Sequence, residues 1–147
     1  MPPLHRGEAD ATAFREALRA LKAGRIVAVA PEGTRSGHGR LQRGLPGIAL
    51  LALLSGAPIM PIAHYGGEQL QRNLRRFRRT DFHIVVGEPI ELLSESRRVS
   101  QGVRQAMVDE IMVRIAELLP PAYRGIYADS VGEPFRYTRP TTVPQDR

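Results

Sequence analysis

Apolar and polar positions alternate in blocks along the chain, and each block predicts an element. Phe14, Ala17, Leu18 and Leu21 recur at helical spacing, which predicts one apolar face of a helix with Asp10 as its cap and Gly24 at its end. The continuous run Ile26–Ala30 predicts a buried strand. A polar loop over residues 31–44 follows, rich in Gly and Arg. The almost wholly apolar stretch Leu45–Leu54 predicts a second helix, with Pro46 near its first turn. Pro58–Ala63 reads as a short strand, confined by Pro58 and Pro61 to an edge, a start or a bulge. Asp81–Val86 predicts another strand, closed by Gly87-Glu88-Pro89. Val103–Leu119 predicts a long helix, with Val108, Ile111, Met112, Ile115, Leu118 and Leu119 facing the core and Pro120-Pro121 stopping it.

A helix leading through one glycine into an apolar strand suggests a layered α/β unit. The expected architecture is therefore a sheet of mixed or mainly parallel strands flanked by helices. Residues 1–128 are expected to form the domain. The Pro- and Thr-rich stretch 129–147 is expected to be a flexible tail. The apolar region 45–63 is interrupted by Pro46, Gly47, Gly56, Pro58 and Pro61, so no membrane span is expected there.

Composition narrows the chemistry. With 147 residues the chain suffices for one cored domain. It has no Cys, which excludes disulfides and thiolate metal sites. A net charge of +6 favours anionic partners such as phosphorylated small molecules, an acidic membrane surface or nucleic acid. Aromatic residues make up only 5%, which gives nucleic acid few stacking platforms, and no specific nucleic-acid module is legible. The run Arg72–Arg79 has two readings: a solvated basic face, or contact with anionic lipid head groups.

The turn Pro31-Glu32-Gly33-Thr34-Arg35-Ser36 carries the clearest candidate chemistry. A guanidinium can bond two phosphate oxygens at once, and a glycine-bearing turn can offer backbone N–H groups to the same anion. The plain alternative is a solvated turn with Glu32 and Arg35 as a surface ion pair.

These residues resemble the glycerolipid acyltransferase family, which includes the 1-acyl-glycerol-3-phosphate acyltransferases. The family motif Phe-Pro-Glu-Gly-Thr-Arg-Ser stands here as Ala30-Pro31-Glu32-Gly33-Thr34-Arg35-Ser36. Arg43-Gly44, Pro58-Ile59-Met60-Pro61-Ile62-Ala63 and Gly87-Glu88-Pro89-Ile90 match later blocks in order, and Arg6 matches a basic residue ahead of the first helix. Leu118-Leu119-Pro120 with Tyr123-Arg124-Gly125 resembles bacterial members. The resemblance implies that Glu32, Gly33, Thr34 and Arg35 bind the acceptor phosphate. It implies Arg6 as a second cationic contact and Arg43 as part of the same basic loop. The Pro61 block would help form the acyl-donor site. The implied activity transfers an acyl group from acyl-CoA or acyl carrier protein to a lysophosphatidate-like glycerol phosphate, in phospholipid biosynthesis. It needs no metal, no cofactor and no covalent enzyme intermediate. The implied location is the cytoplasm, at the inner face of the membrane.

The family's catalytic pair is a His and an Asp separated by four residues, the His acting as general base. His5 and Asp10 have that spacing. In the family the pair precedes the Glu-Gly-Thr-Arg turn by several dozen residues, and here the gap is much shorter. Asp10 is also accounted for as a helix cap, so the pair is read as a decoy and no catalytic residue is assigned. His38 reads as solvated in the loop, and His64 and His83 as strand residues. The chain thus resembles the later part of the family domain. The alternative to an acyltransferase is a truncated, non-catalytic module that binds phosphate or anionic lipid.

Overall fold

The computed structural model describes residues 6–33, 39–96 and 98–141, with side chains from residue 10 onward. Its organising element is the helix α4 (Gln101–Glu117). Ser100 caps it by accepting the Val103 amide at 3.2 Å, which satisfies one of the N–H groups a helix start leaves unpaired. Val108, Ile111 and Met112 have no exposed surface, and Met107, Val113, Ile115, Ala116 and Leu119 are buried with them. Burial of each larger side chain stabilises the fold by about 1.5–3 kcal/mol. The expected core face is therefore the observed one, except that Leu118 is only half-buried.

Two helices precede it. Helix α1 (Arg6–Lys22) presents Phe14, Ala17, Leu18 and Leu21 as its half-buried face and contacts α2 (Gly47–Ser55). It begins at Arg6, so Asp10 is an exposed residue of the helix rather than its cap. Pro46 immediately precedes α2, and Gly56 ends it in the left-handed conformation, its N–H bonding Ala52 O at 2.8 Å.

The sheet departs from expectation. Strand β1 (Ile62–Tyr65) pairs antiparallel with β2 (His83–Val86), in the register Ile62 opposite Val86 and Tyr65 opposite His83. Strand β3 (Ile90–Leu92) pairs antiparallel with β4 (Thr138–Pro140). Reciprocal 2.8 Å bonds between Ile59 and Ile90 join the two ladders. Between β1 and β2 lies a short helix, α3 (Leu70–Arg75). Among the described residues every strand pair is antiparallel, and no parallel layered sheet is present.

The expected buried strand Ile26–Ala30 is the main correction. Residues 25–30 form no ladder among the described residues, and Ile26 is 98% exposed. An apolar run becomes a strand only where a neighbour supplies hydrogen bonds and cover. The strand expected at Pro58–Ala63 lies slightly later, because Pro58 and Pro61 lack the N–H groups a ladder uses.

The tail expected from Asp129 is packed as far as Thr141. The Glu110 carboxylate accepts the backbone amides of Arg136, Tyr137 and Thr138 at 2.8, 2.8 and 2.9 Å, which brings β4 onto β3. Thr138 is consequently buried, although its segment is polar in composition. None of the helices described is long and apolar enough to cross a membrane.

Candidate functional site

The turn after residue 30 is closed by local bonds. The Gly33 amide donates to Ala30 O at 3.1 Å, and Leu45 N–H donates to Pro31 O at 2.8 Å. The second bond pins the far end of the loop against its start. Gly33 has φ 66°, a conformation that favours glycine. A Cβ there would overlap Leu45 Cδ1. Thr34, Arg35 and His38 lie outside the described residues, as does His5, and the Arg6 side chain is likewise outside them.

Glu32 is half-buried, and its Oε2 is shielded from solvent with no hydrogen-bond partner among the described residues. Burial pushes its carboxyl above the ordinary carboxylate range, and the Gln42 backbone amide partly offsets this. A carboxylate left this way can accept a donor from a ligand.

Glu32 lines a cleft of about 1080 Å³. Ala28 and Ala30 form one wall, Ile62 and Ala63 of β1 another, and Ile115 and Leu119 the floor. Apolar side chains dominate, and Glu32, Arg40, His64, Tyr65, Glu68 and Tyr123 are the polar exceptions. His64 lies 5.6 Å from the Phe82 ring, and Tyr123 lies 5.3 Å from Tyr65. Pro61 does not line this cleft. It is buried, its carbonyl accepts the Gly87 amide at 2.8 Å, and it borders a separate cavity of about 190 Å³ with Arg114 and Glu117. The residues after it, Ile62 to Tyr65, are the ones that reach the Glu32 cleft.

Arg43 is exposed, and the adjoining Gly44 is buried against α4. A Cβ on Gly44 would overlap Val108 Cγ1 and fall 2.8 Å from Met112 Cγ, so only glycine fits. Its N–H donates to Tyr127 Oη at 3.1 Å, and its carbonyl accepts from Gln105 Nε2 at 3.1 Å. Gln105 and Tyr127 in turn both donate to Asp109 Oδ1, at 3.0 and 3.1 Å. Burial and the neighbouring Asp109 push the Tyr127 hydroxyl up to about 12, against the lowering effect of the Gly44 amide and Arg43. Gln105, Asp109 and Tyr127 were not anticipated. Their only sequence signal is two polar residues one helical turn apart on an otherwise apolar helix face.

Glu32 and the β1 wall thus meet at one cleft, while Gly44 is fastened against α4 and Tyr127. Residues 3–65 match the family model described as Acyltransferase. That stretch, less than half of the chain, is similar to acyltransferases. Over 120 residues the chain is 28% identical to the 1-acyl-sn-glycerol-3-phosphate acyltransferase of Bacillus subtilis (strain 168), an alignment covering 79% of this chain and 56% of that protein. The chain therefore spans little more than half the length of that relative. No solved structure matches it. Within the acyltransferase match lie Glu32, Gly33, Arg43, Gly44 and Pro61, together with Thr34, Arg35, His5 and Asp10. Among the described residues no cluster of His, Asp or Glu is arranged to hold a metal ion.

Proposed function

We propose that this chain supplies the acceptor- and acyl-binding part of a phospholipid-synthesising acyltransferase. The observation that carries the reading is that Glu32 and the apolar β1 wall line one cleft, within the stretch that matches the acyltransferase family. The acceptor is a lysophosphatidate-like glycerol phosphate. Its phosphate is held by Thr34, Arg35 and the Gly33 turn, with Arg6 and Arg43 as further cations. Glu32 accepts a hydrogen bond from a glycerol hydroxyl. The acyl chain lies along Ala28, Ala30, Ile62 and Leu119. The donor is acyl-CoA or acyl carrier protein.

In the reaction, the acceptor hydroxyl oxygen attacks the thioester carbonyl. A C–O ester bond forms, the C–S bond breaks, the thiolate leaves, and the hydroxyl proton passes to a general base. We assign that base to no residue of this chain, and His5 and Asp10 play no part in it. The chain works in the cytoplasm at the inner face of the membrane, where its arginine-rich surface meets anionic lipid.

Titration calorimetry with glycerol 3-phosphate and short-chain lysophosphatidate tests the phosphate site. Loss of a bidentate, charge-assisted contact in Arg35→Ala should weaken binding by at least about tenfold. Equal affinity of the two proteins would overturn the assignment. Acyl transfer from a radiolabelled acyl-CoA then tests the reaction itself.

A further inference from the structure

Helices α1 and α3 end in the same hydrogen-bonded cap, and one difference between the two caps is informative. At the end of α1, Gly24 N–H bonds Leu21 O at 3.0 Å, and Arg25 N–H bonds Ala20 O at 3.0 Å. At the end of α3, Phe77 N–H bonds Leu74 O at 3.2 Å, and Arg78 N–H bonds Asn73 O at 2.8 Å. This cap places one residue in the left-handed region, ordinarily glycine. Gly24 has φ 75° and Phe77 has φ 51°. Phe77 is the sole non-glycine with positive φ among the described residues. A bulky aromatic is disfavoured there. Packing does not compensate, since the Phe77 side chain is fully exposed.

Its surroundings share that character. Leu70 and Leu74 are 56% and 71% exposed, and with Phe77 they fall at helical spacing. Interleaved with them are Arg72, Arg75, Arg76, Arg78 and Arg79, all exposed. No acidic residue lies between Leu70 and Thr80, and none of these arginines has an ion-pair partner among the described residues. The turn is held firmly. Asn73 Nδ2 donates to Thr80 Oγ1 at 3.2 Å, and at the base Gly66 passes so close to the Asp81 carbonyl that no side chain fits.

We propose that residues 70–79 form a bilayer-docking tip. Leu70, Leu74 and Phe77 enter the boundary between head groups and acyl chains, and the five arginines contact lipid phosphates. An exposed apolar set bordered by unpaired cations is the complement of an anionic bilayer interface. Nucleic acid would satisfy the arginines but leave two leucines without a partner. Leu70 also lines the cleft that holds Glu32, beside Gly67, Glu68 and Phe82. Docking through the tip therefore brings the cleft rim to the lipid, and an acyl chain can enter without crossing water. This rests on the membrane-surface reading given above.

The chain contains no Trp, so Phe77→Trp supplies a unique fluorophore. With phosphatidylcholine–phosphatidylglycerol vesicles its emission should shift to the blue and be quenched by brominated acyl chains. Trp at Ile26, which is also almost fully exposed but lies outside the tip, should show neither change. In flotation assays Phe77→Gly should bind these vesicles about tenfold more weakly or worse, the loss expected when a phenyl ring no longer leaves water. Its thermal midpoint should not fall, because glycine suits the cap. If the unsubstituted protein floats and Phe77→Gly floats equally well, the tip is wrong while the membrane reading stands. If the unsubstituted protein does not float on anionic vesicles at low salt, both fall.

Discussion

The Tyr127 hydroxyl accepts the Gly44 amide across 83 residues of sequence, at 3.1 Å. The candidate loop is thereby fastened to the last helical turn of the chain's core, through Asp109 on α4. The loop's far end is thus positioned by residues that never face the cleft.

Removing that hydroxyl tests the fastening. Tyr127→Phe leaves the buried Gly44 amide without its acceptor and Asp109 Oδ1 with Gln105 as its remaining donor, and should destabilise the protein by about 1–3 kcal/mol. Urea unfolding followed by circular dichroism measures this. Absorbance titration should show one tyrosine of the unsubstituted protein ionising at about 12, and Tyr127→Phe should lose that step. A full set of tyrosines titrating in the ordinary range would contradict the described burial.

Gly44→Ala addresses the same region sterically. The added methyl overlaps Val108 and crowds Met112, so α4 or the loop must shift. The expected cost is about 1–3 kcal/mol, in the range of overpacked cores. Gly24→Ala meets nothing within 4 Å and bears only the strain of its positive φ, which Gly44 lacks, and should cost less than the collision at Gly44.

Glu32 makes stability pH-dependent. Its carboxyl is raised in the folded protein, so the folded state holds this proton more tightly than the unfolded state does. The stabilisation from this group is present at low pH. It is lost as pH rises from the ordinary carboxylate value through the raised one. Glu32→Gln removes the titration. The stability of the unsubstituted protein relative to Glu32→Gln should therefore decline across that window and level off above it. A difference that is flat with pH would place the carboxyl in water.

Glu110→Ala should release β4. Three backbone amides lose their acceptor, and hydrogen exchange at residues 136–138 should rise well above that of α4. Unchanged protection would show that the β3–β4 ladder holds by itself.

These tests also show where sequence was and was not enough. The helices were readable, because Phe14, Ala17, Leu18 and Leu21 on α1 and Val108, Ile111, Met112 and Ile115 on α4 repeat at helical spacing. Ile26 was misleading, since hydrophobicity encodes a wish for cover and not the identity of the neighbour that supplies it. Thr138 erred the other way. Its burial depends on a carboxylate 28 residues earlier, and no local pattern announces that. At the site, Glu32 and Gly33 could be found from a contiguous motif, whereas Gln105, Asp109 and Tyr127 act through tertiary hydrogen bonds. Pro61 was expected at the acyl-donor site with its whole block. The geometry brings Ile62 to Tyr65 to the cleft and leaves Pro61 on another cavity.

The Leu45–Pro31 bond also bears on how such a domain can diversify. Because both feet of the loop are clamped together, exposed residues between them, unlike the buried Gly44, can be exchanged with little effect on the helices behind. The exposed part of the loop can therefore vary in sequence while the scaffold beneath stays constant.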